Sequence, residues 1–173
     1  MTFAPRAAGG RGGWLNHMFV AHELVLDVGL RAAQAGLANL ARGPGLSGSS
    51  QAAYDSGLAG LSRVGPVGDV PGASKLVRVR LLDPVYCGES MRLGLRWEAV
   101  GVTGALFPAL DADISLTPAG AHRTRLALAG VYRPPLGRFG AGLDRVILNQ
   151  VATATIRALL QKVSRMLLPA RPR

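Results

Sequence analysis

A chain of 173 residues makes about one domain, long enough to bury roughly 70% of the surface that its unfolded form exposes. An apolar share of 49% excludes intrinsic disorder, and a single cysteine, Cys87, excludes an internal disulfide framework and zinc-type Cys/His spacing. Twenty basic residues against ten acidic ones leave a net charge of +10, and eighteen of the twenty are Arg, with Lys only at 75 and 162.

Residues 1–17, rich in Gly, Ala and Arg, read as a disordered arm without the apolar stretch of a secretory signal. Ordered pattern begins at Met18. Alternate residues Val20, His22, Leu24, Leu26 and Val28 have the period of two that marks a half-buried strand, and Gly29 ends it. Residues 30–42 are rich in helix formers, with Leu30, Ala33, Leu37 and Leu40 on one face, and Gly43-Pro44-Gly45 stops them. A second short helix is expected over 49–56 behind a Ser N-cap, then a weak strand over 58–64.

Strand pattern dominates the next part of the chain. Residues 75–82 place Val77, Val79 and Leu81 on one face, Arg78 and Arg80 on the other. After Asp83-Pro84, residues 90–100 put Met91, Leu93, Leu95, Trp97 and Ala99 opposite Arg92, Arg96 and Glu98. Leu110, Ala112, Ile114 and Leu116 oppose Asp111, Asp113, Ser115 and Thr117, and a turn at 118–121 leads into Leu126, Leu128, Gly130 and Tyr132. Such alternation predicts an antiparallel sheet with one wet face and one dry face.

Pro134-Pro135 ends the last strand, and a long helix is expected over 138–168, stopped by Pro169 before a basic tail, 169–173. Its apolar stripe reads Leu143, Val146, Ile147, Val151, Ala154, Ala158, Leu159, Val163 and Met166, with Gln150 and Thr155 as polar residues on the same buried side. Five charges, at Asp144, Arg145, Arg157, Lys162 and Arg165, set the stretch apart from a membrane span, so the chain reads as soluble and cytoplasmic. A long helix lying over the dry face of the sheet buries both apolar surfaces, an α+β arrangement.

One strand, two short helices, a run of antiparallel strands and a long final helix is the order of the helix-grip fold. Local strings carry the resemblance further: GPVGD at 65–69, SKLVRVR at 74–80, RWEA at 96–99, GALFPALDAD at 104–113 and VYRPPLG at 131–137. Over residues 18–168 the chain resembles high-GC bacterial members of the START-like, birch-pollen-allergen-like superfamily (SRPBCC, polyketide cyclase/dehydrase-like). The resemblance implies a curved sheet wrapped around the C-terminal helix, with a pocket between them closed at one end by the two short helices. Relatives use that space for lipids, sterols, polyketides or hormones. Fold alone does not fix function.

The expected partner is therefore an apolar small molecule, carried or sensed without metal or other cofactor. Candidate cavity residues are His22, Leu24, Leu95, Trp97, Leu126, Leu128, Tyr132, Gln150, Val151, Thr155 and Leu159. Each apolar one among them would also serve as plain core. The alternative is a polyketide cyclase, aromatase or dehydratase, for which the chain offers inward acid/base groups only at His22, Tyr132 and Gln150. His17 and His122 lie far from His22 in the pattern, so no metal triad forms.

Several other features have simpler readings. Asp111 and Asp113 share a wet face with Arg123 and Arg125 across the 118–121 turn, so they are expected as cross-strand charge partners rather than an acid/base pair. Glu98 falls on the same outer face. Cys87, between two strands and without a histidine at catalytic spacing, is expected as a free, small, buried residue. Gly43 to Gly48 spells GxGxxG, but a helix rather than a strand precedes it, so it is a loop and not a dinucleotide motif.

The basic surplus is uneven. Residues 157–173 hold five basic residues and no acid, and residues 75–96 hold five basic and two acidic. Arg78, Arg80, Arg92 and Arg96 project from the outer face of two neighbouring strands. A basic module binding anionic lipid or nucleic acid is therefore a further alternative; weak electrostatic contact with anionic surfaces fits this charge, whereas specific nucleic-acid recognition is not expected, because no aromatic residue interleaves with these Arg.

Overall fold

The two strands with the cleanest alternation form the centre of the sheet. In the computed structural model, which describes residues 18–45, 48, 50–53, 77–99, 109–133 and 145–168 (backbone only at 77, 98, 99, 145, 147, 148 and 151), β5 (Ala109–Pro118) pairs with β6 (Thr124–Arg133) over ten register positions. On the far side of β6 lies β1 (Met18–Leu26), running from Met18 opposite Tyr132 to Leu26 opposite Thr124. On the far side of β5 come β4 (Ser90–Ala99) and then β2 (Val77–Leu81), giving the antiparallel order β1-β6-β5-β4-β2. With helices α1 (Leu30–Arg42) and α2 (Arg145–Leu167), the chain has the expected helix-grip architecture, a curved antiparallel sheet with a C-terminal helix.

β1 starts and stops two residues earlier than its apolar period suggests. Its extent follows β6, whose first residue already closes the register at Leu26. Val28 has left the sheet, and its carbonyl accepts a hydrogen bond from the buried Thr124 hydroxyl at 2.7 Å. A further strand, β3 (Val85–Cys87), pairs with β4 beyond the Asp83-Pro84 break. Its two-residue loop has Gly88 at φ 59 and Glu89 at negative φ, the pattern of a type II′ hairpin in which Gly takes the first position. Cys87 is thereby a free thiol on an exposed edge strand, not a buried residue.

α1 matches its predicted bounds and buries Ala33, Gln34 and Leu37. The Gln34 amide nitrogen donates to the Glu89 carbonyl at 2.7 Å, tying the helix to the β3–β4 turn across 55 residues. Gln34→Leu leaves that carbonyl without its donor and is expected to cost about 1–2 kcal/mol. A urea midpoint unchanged from the parent would show that the bond contributes nothing. Of the second predicted helix, residues 50–53 are helical, while 54–56 and the predicted strand at 58–64 lie outside the described residues.

α2 falls within its predicted range; residues 138–144 lie outside the described ones. Its dry stripe is rotated from the expected one. Buried positions are Ala152, Thr155, Ile156, Leu159, Leu160, Val163, Ser164 and Leu167, spaced by threes and fours. Val146, Ala154 and Met166 from the expected stripe are exposed, and so is Gln150. The helix packs on β1, β6 and α1 with Ala152, Thr155 and Ser164 among its buried residues, while Val146 and Met166 are exposed.

Candidate functional site

Strand register arranges the inner face in rows. One row reads Val79, Trp97, Leu110, Tyr132 and Met18; the next Leu81, Leu95, Ala112, Gly130 and Val20. Deeper rows are Leu93, Ile114, Leu128 and His22, then Met91, Leu116, Leu126 and Leu24. Of the predicted cavity residues, Leu95, Trp97, Leu126, Leu128, Tyr132, Thr155 and Leu159 are all 3% exposed or less, so protein packs around each of them. His22 and Leu24, on the edge strand β1, are half-buried. Gln150 is a correction, since it faces away from the sheet, and the side chain of Val151 lies outside the described residues.

His22 and Tyr132 are the titratable groups on the inner rows of β1, β4, β5 and β6. Both point inward, but they do not converge. Tyr132 pairs with Met18, four residues along β1 from His22, which separates them by roughly 13 Å. Backbone positions so far apart do not bring the two side chains into hydrogen-bond contact with one another.

The polar feature that stands out is Trp97. Its side chain is fully buried, and its indole N–H has no hydrogen-bond partner. Such orphaned donors are few in native proteins, and each costs about 1–3 kcal/mol. Beside it the next row holds the smallest side chains of the inner face, Ala112 and Gly130. Tryptophan was legible in the sequence as a wall residue; its missing partner was not, because that depends on neighbours distant in the chain.

The outer face carries the charges, paired differently from the expectation. Arg125 stands opposite Thr117 and not an Asp, and its guanidinium lies 3.7 Å from Glu23 on β1. Asp111 and Asp113 turn instead toward β4: Asp111 is in register with Arg96, and Asp113 lies 3.8 Å from Arg92. The ten-residue length of β5 and β6 moves Arg123 into the turn and shifts Arg125 past the Asp pair. Arg78, Arg80, Arg92 and Arg96 are exposed as expected; the side chain of Glu98 lies outside the described residues. Exposed pairs of this kind contribute little each.

At one end of this outer face lies a hollow of about 420 Å³ lined by Arg96, Ala109, Leu110, Asp111, Val131 and Arg133. The Nε of Arg133 is itself buried without a hydrogen-bond partner. Neither the hollow nor Arg133 figured among the predicted site residues. The alternation of β6 does place Arg133 on the wet face two residues beyond Val131, which was the available signal. Among the described residues no group of three His, Cys, Asp or Glu could hold a metal ion, and no helix is long and apolar enough to cross a membrane.

No protein-family model matches the chain, and no curated protein does at a significant level. Solved structures do. A conserved protein from Geobacillus kaustophilus superposes with a TM-score of 0.51 at 14% identity, covering 88% of this chain and 95% of that one. More distant matches are an aromatase/cyclase from Streptomyces sp. R1128 (TM-score 0.37, 15% identity, 90% and 98% covered) and norcoclaurine synthase from Thalictrum flavum (TM-score 0.44, 10% identity, 98% and 100% covered). At such identities the likeness is one of fold.

Proposed function

We propose that the chain binds an apolar small molecule bearing a hydrogen-bond acceptor, as a carrier or sensor, between the sheet and α2. The observation that carries this reading is the fully buried Trp97 indole N–H without a partner, on a face lined mostly by Leu, Ile, Val, Ala and Met. An acceptor on the ligand satisfies that donor, and the short side chain of Ala112 stands in the next row. The inner rows are closely packed, so entry requires α2 to move on the sheet. The helix-grip order and the resemblance to lipid- and polyketide-binding relatives agree with the reading. A cyclase or dehydratase is less well supported, because the backbone positions of His22 and Tyr132 stand about 13 Å apart and Gln150 is exposed.

The test uses native mass spectrometry of the gently purified full chain, followed by solvent extraction and titration with the neutral dye Nile red. The parent protein is expected to retain an apolar compound or bind the dye. Trp97→Phe, which keeps an aromatic ring and removes the donor, is expected to weaken retention or binding of the acceptor-bearing compound roughly tenfold while the circular dichroism spectrum stays native. A parent chain that retains nothing and ignores the dye sinks the proposal, as does full retention by a folded Trp97→Phe variant.

A further inference from the structure

A sheet face turned to solvent normally leaves its guanidinium groups hydrated. Arg133 departs from this. Its Nε is buried with no hydrogen-bond partner, and the residue, the last of β6 before Pro134, lines the 420 Å³ hollow. Arg96 and Asp111, in register with one another on β4 and β5, line the same hollow. Among the described lining residues, one carboxylate stands against two guanidinium groups. The side of an arginine fork that carries Nε–H is built to meet two oxygens of a carboxylate or phosphate at once. Arg133 lines an open hollow of the size that small ligands occupy, so a modest turn of its side chain would present that fork to a ligand there.

The same hollow has an apolar side. Val131 lines it at 41% exposure, and Phe19, its direct register partner on β1, is 72% exposed. Two large apolar side chains left in water on adjacent strands form a ledge leading away from the charged end. We infer that this hollow is a binding site for a small anionic amphiphile, its carboxylate or phosphate held by Arg133 and its apolar part lying along Val131 and Phe19. The site is on the opposite face of the sheet from Trp97 and does not depend on the ligand proposed there.

The test is a titration of the isotopically labelled full chain with octanoate and octyl phosphate, read by calorimetry and by the side-chain Nε–Hε resonances of arginine. Octanol and octyltrimethylammonium serve as controls for the tail alone and for the opposite charge. Octanoate or octyl phosphate is expected to bind and shift the Arg133 Nε–Hε signal, with neither control binding comparably. Arg133→Gln is expected to weaken binding tenfold or more. Arg133→Lys, which keeps the charge but not the fork, loses an intermediate amount and serves if the glutamine variant does not fold. Arg125→Gln, an outer-face arginine beside Glu23, is expected to leave binding within twofold.

Absence of binding at millimolar ligand overturns the inference. So does octanol binding as well as octanoate, or an equal loss in the Arg133 and Arg125 variants, which identifies diffuse charge attraction. Flotation with phosphatidylglycerol-containing vesicles separates the two sources of such a ligand. Flotation that Arg133→Gln abolishes places the anion on a lipid headgroup; binding of the soluble probes without flotation makes it a free amphiphile.

Discussion

Replacing Gly130 by alanine is expected to destabilise the fold by 2 kcal/mol or more, although strand propensity alone predicts the opposite sign. In an unstrained strand interior, Gly→Ala stabilises by about 0.4–1 kcal/mol, because the unfolded chain loses freedom. At Gly130, in the middle of β6, an added Cβ would run into the Asp111 carbonyl oxygen and the Cα and Cβ of Ala112 on β5. Those atoms belong largely to backbone, so no flexible side chain can move aside. Overpacking of this kind costs about 1–3 kcal/mol and occasionally more, and Gly130→Val should exceed the alanine variant. Glycine inside a strand marks close backbone approach, here where β5 and β6 crowd together beneath α2. Urea unfolding of both variants decides the matter. A midpoint for Gly130→Ala at or above that of the parent would mean that the strands do not approach so closely.

Much of this architecture was legible because alternation is a local signal. β4, β5 and β6 appear within a residue or two of their predicted bounds, and the inward set from Met91 to Tyr132 is the predicted one. What alternation could not supply was pairing. The partners of Asp111 and Asp113 depend on where the turn falls, and the observed register sets them opposite Val131 and Ala129 on β6, leaving their charge partners on β4. β3 escaped because three residues behind a Pro show no period, and only the Gly88 turn betrays the hairpin.

The helix stripe failed for a different reason. α2 has apolar residues nearly all round, so its periodicity permits several rotations, and the sheet chooses among them. Packing on β1, β6 and α1 buries Ala152, Thr155 and Ser164 and leaves Val146 and Met166 exposed. That choice also removed Gln150 from the candidate site while keeping Thr155 and Leu159. Orphaned donors at Trp97 and Arg133 were beyond reach, since satisfaction of a polar group is a tertiary property. The +10 charge divides in the same way: the inner rows carry His22 alone among basic side chains, and Arg accumulates on the opposite face.

Leu128→Ala is expected to cost about 3–5 kcal/mol, and Leu24→Ala about 2 kcal/mol or less, and the difference tells core from pocket wall. Truncating a leucine removes the transfer free energy of its methyl and methylene groups, roughly 0.8 kcal/mol for each. When protein surrounds the side chain, a second cost is added for the cavity left behind. Leu128 is 0% exposed in a row with Leu93, Ile114 and His22, so both costs apply. Leu24, half-buried on the edge strand, already borders solvent and leaves little new void. A leucine that lines a pre-formed pocket behaves like Leu24 whatever its position in the sheet. If Leu128→Ala costs less than about 2 kcal/mol by urea unfolding, the space beside Leu128 is a cavity in the free protein, and the ligand site extends to His22. If it costs the full amount, the deep rows are closed core, and the site between sheet and α2 is confined to the Trp97 end, where a buried donor lacks its acceptor.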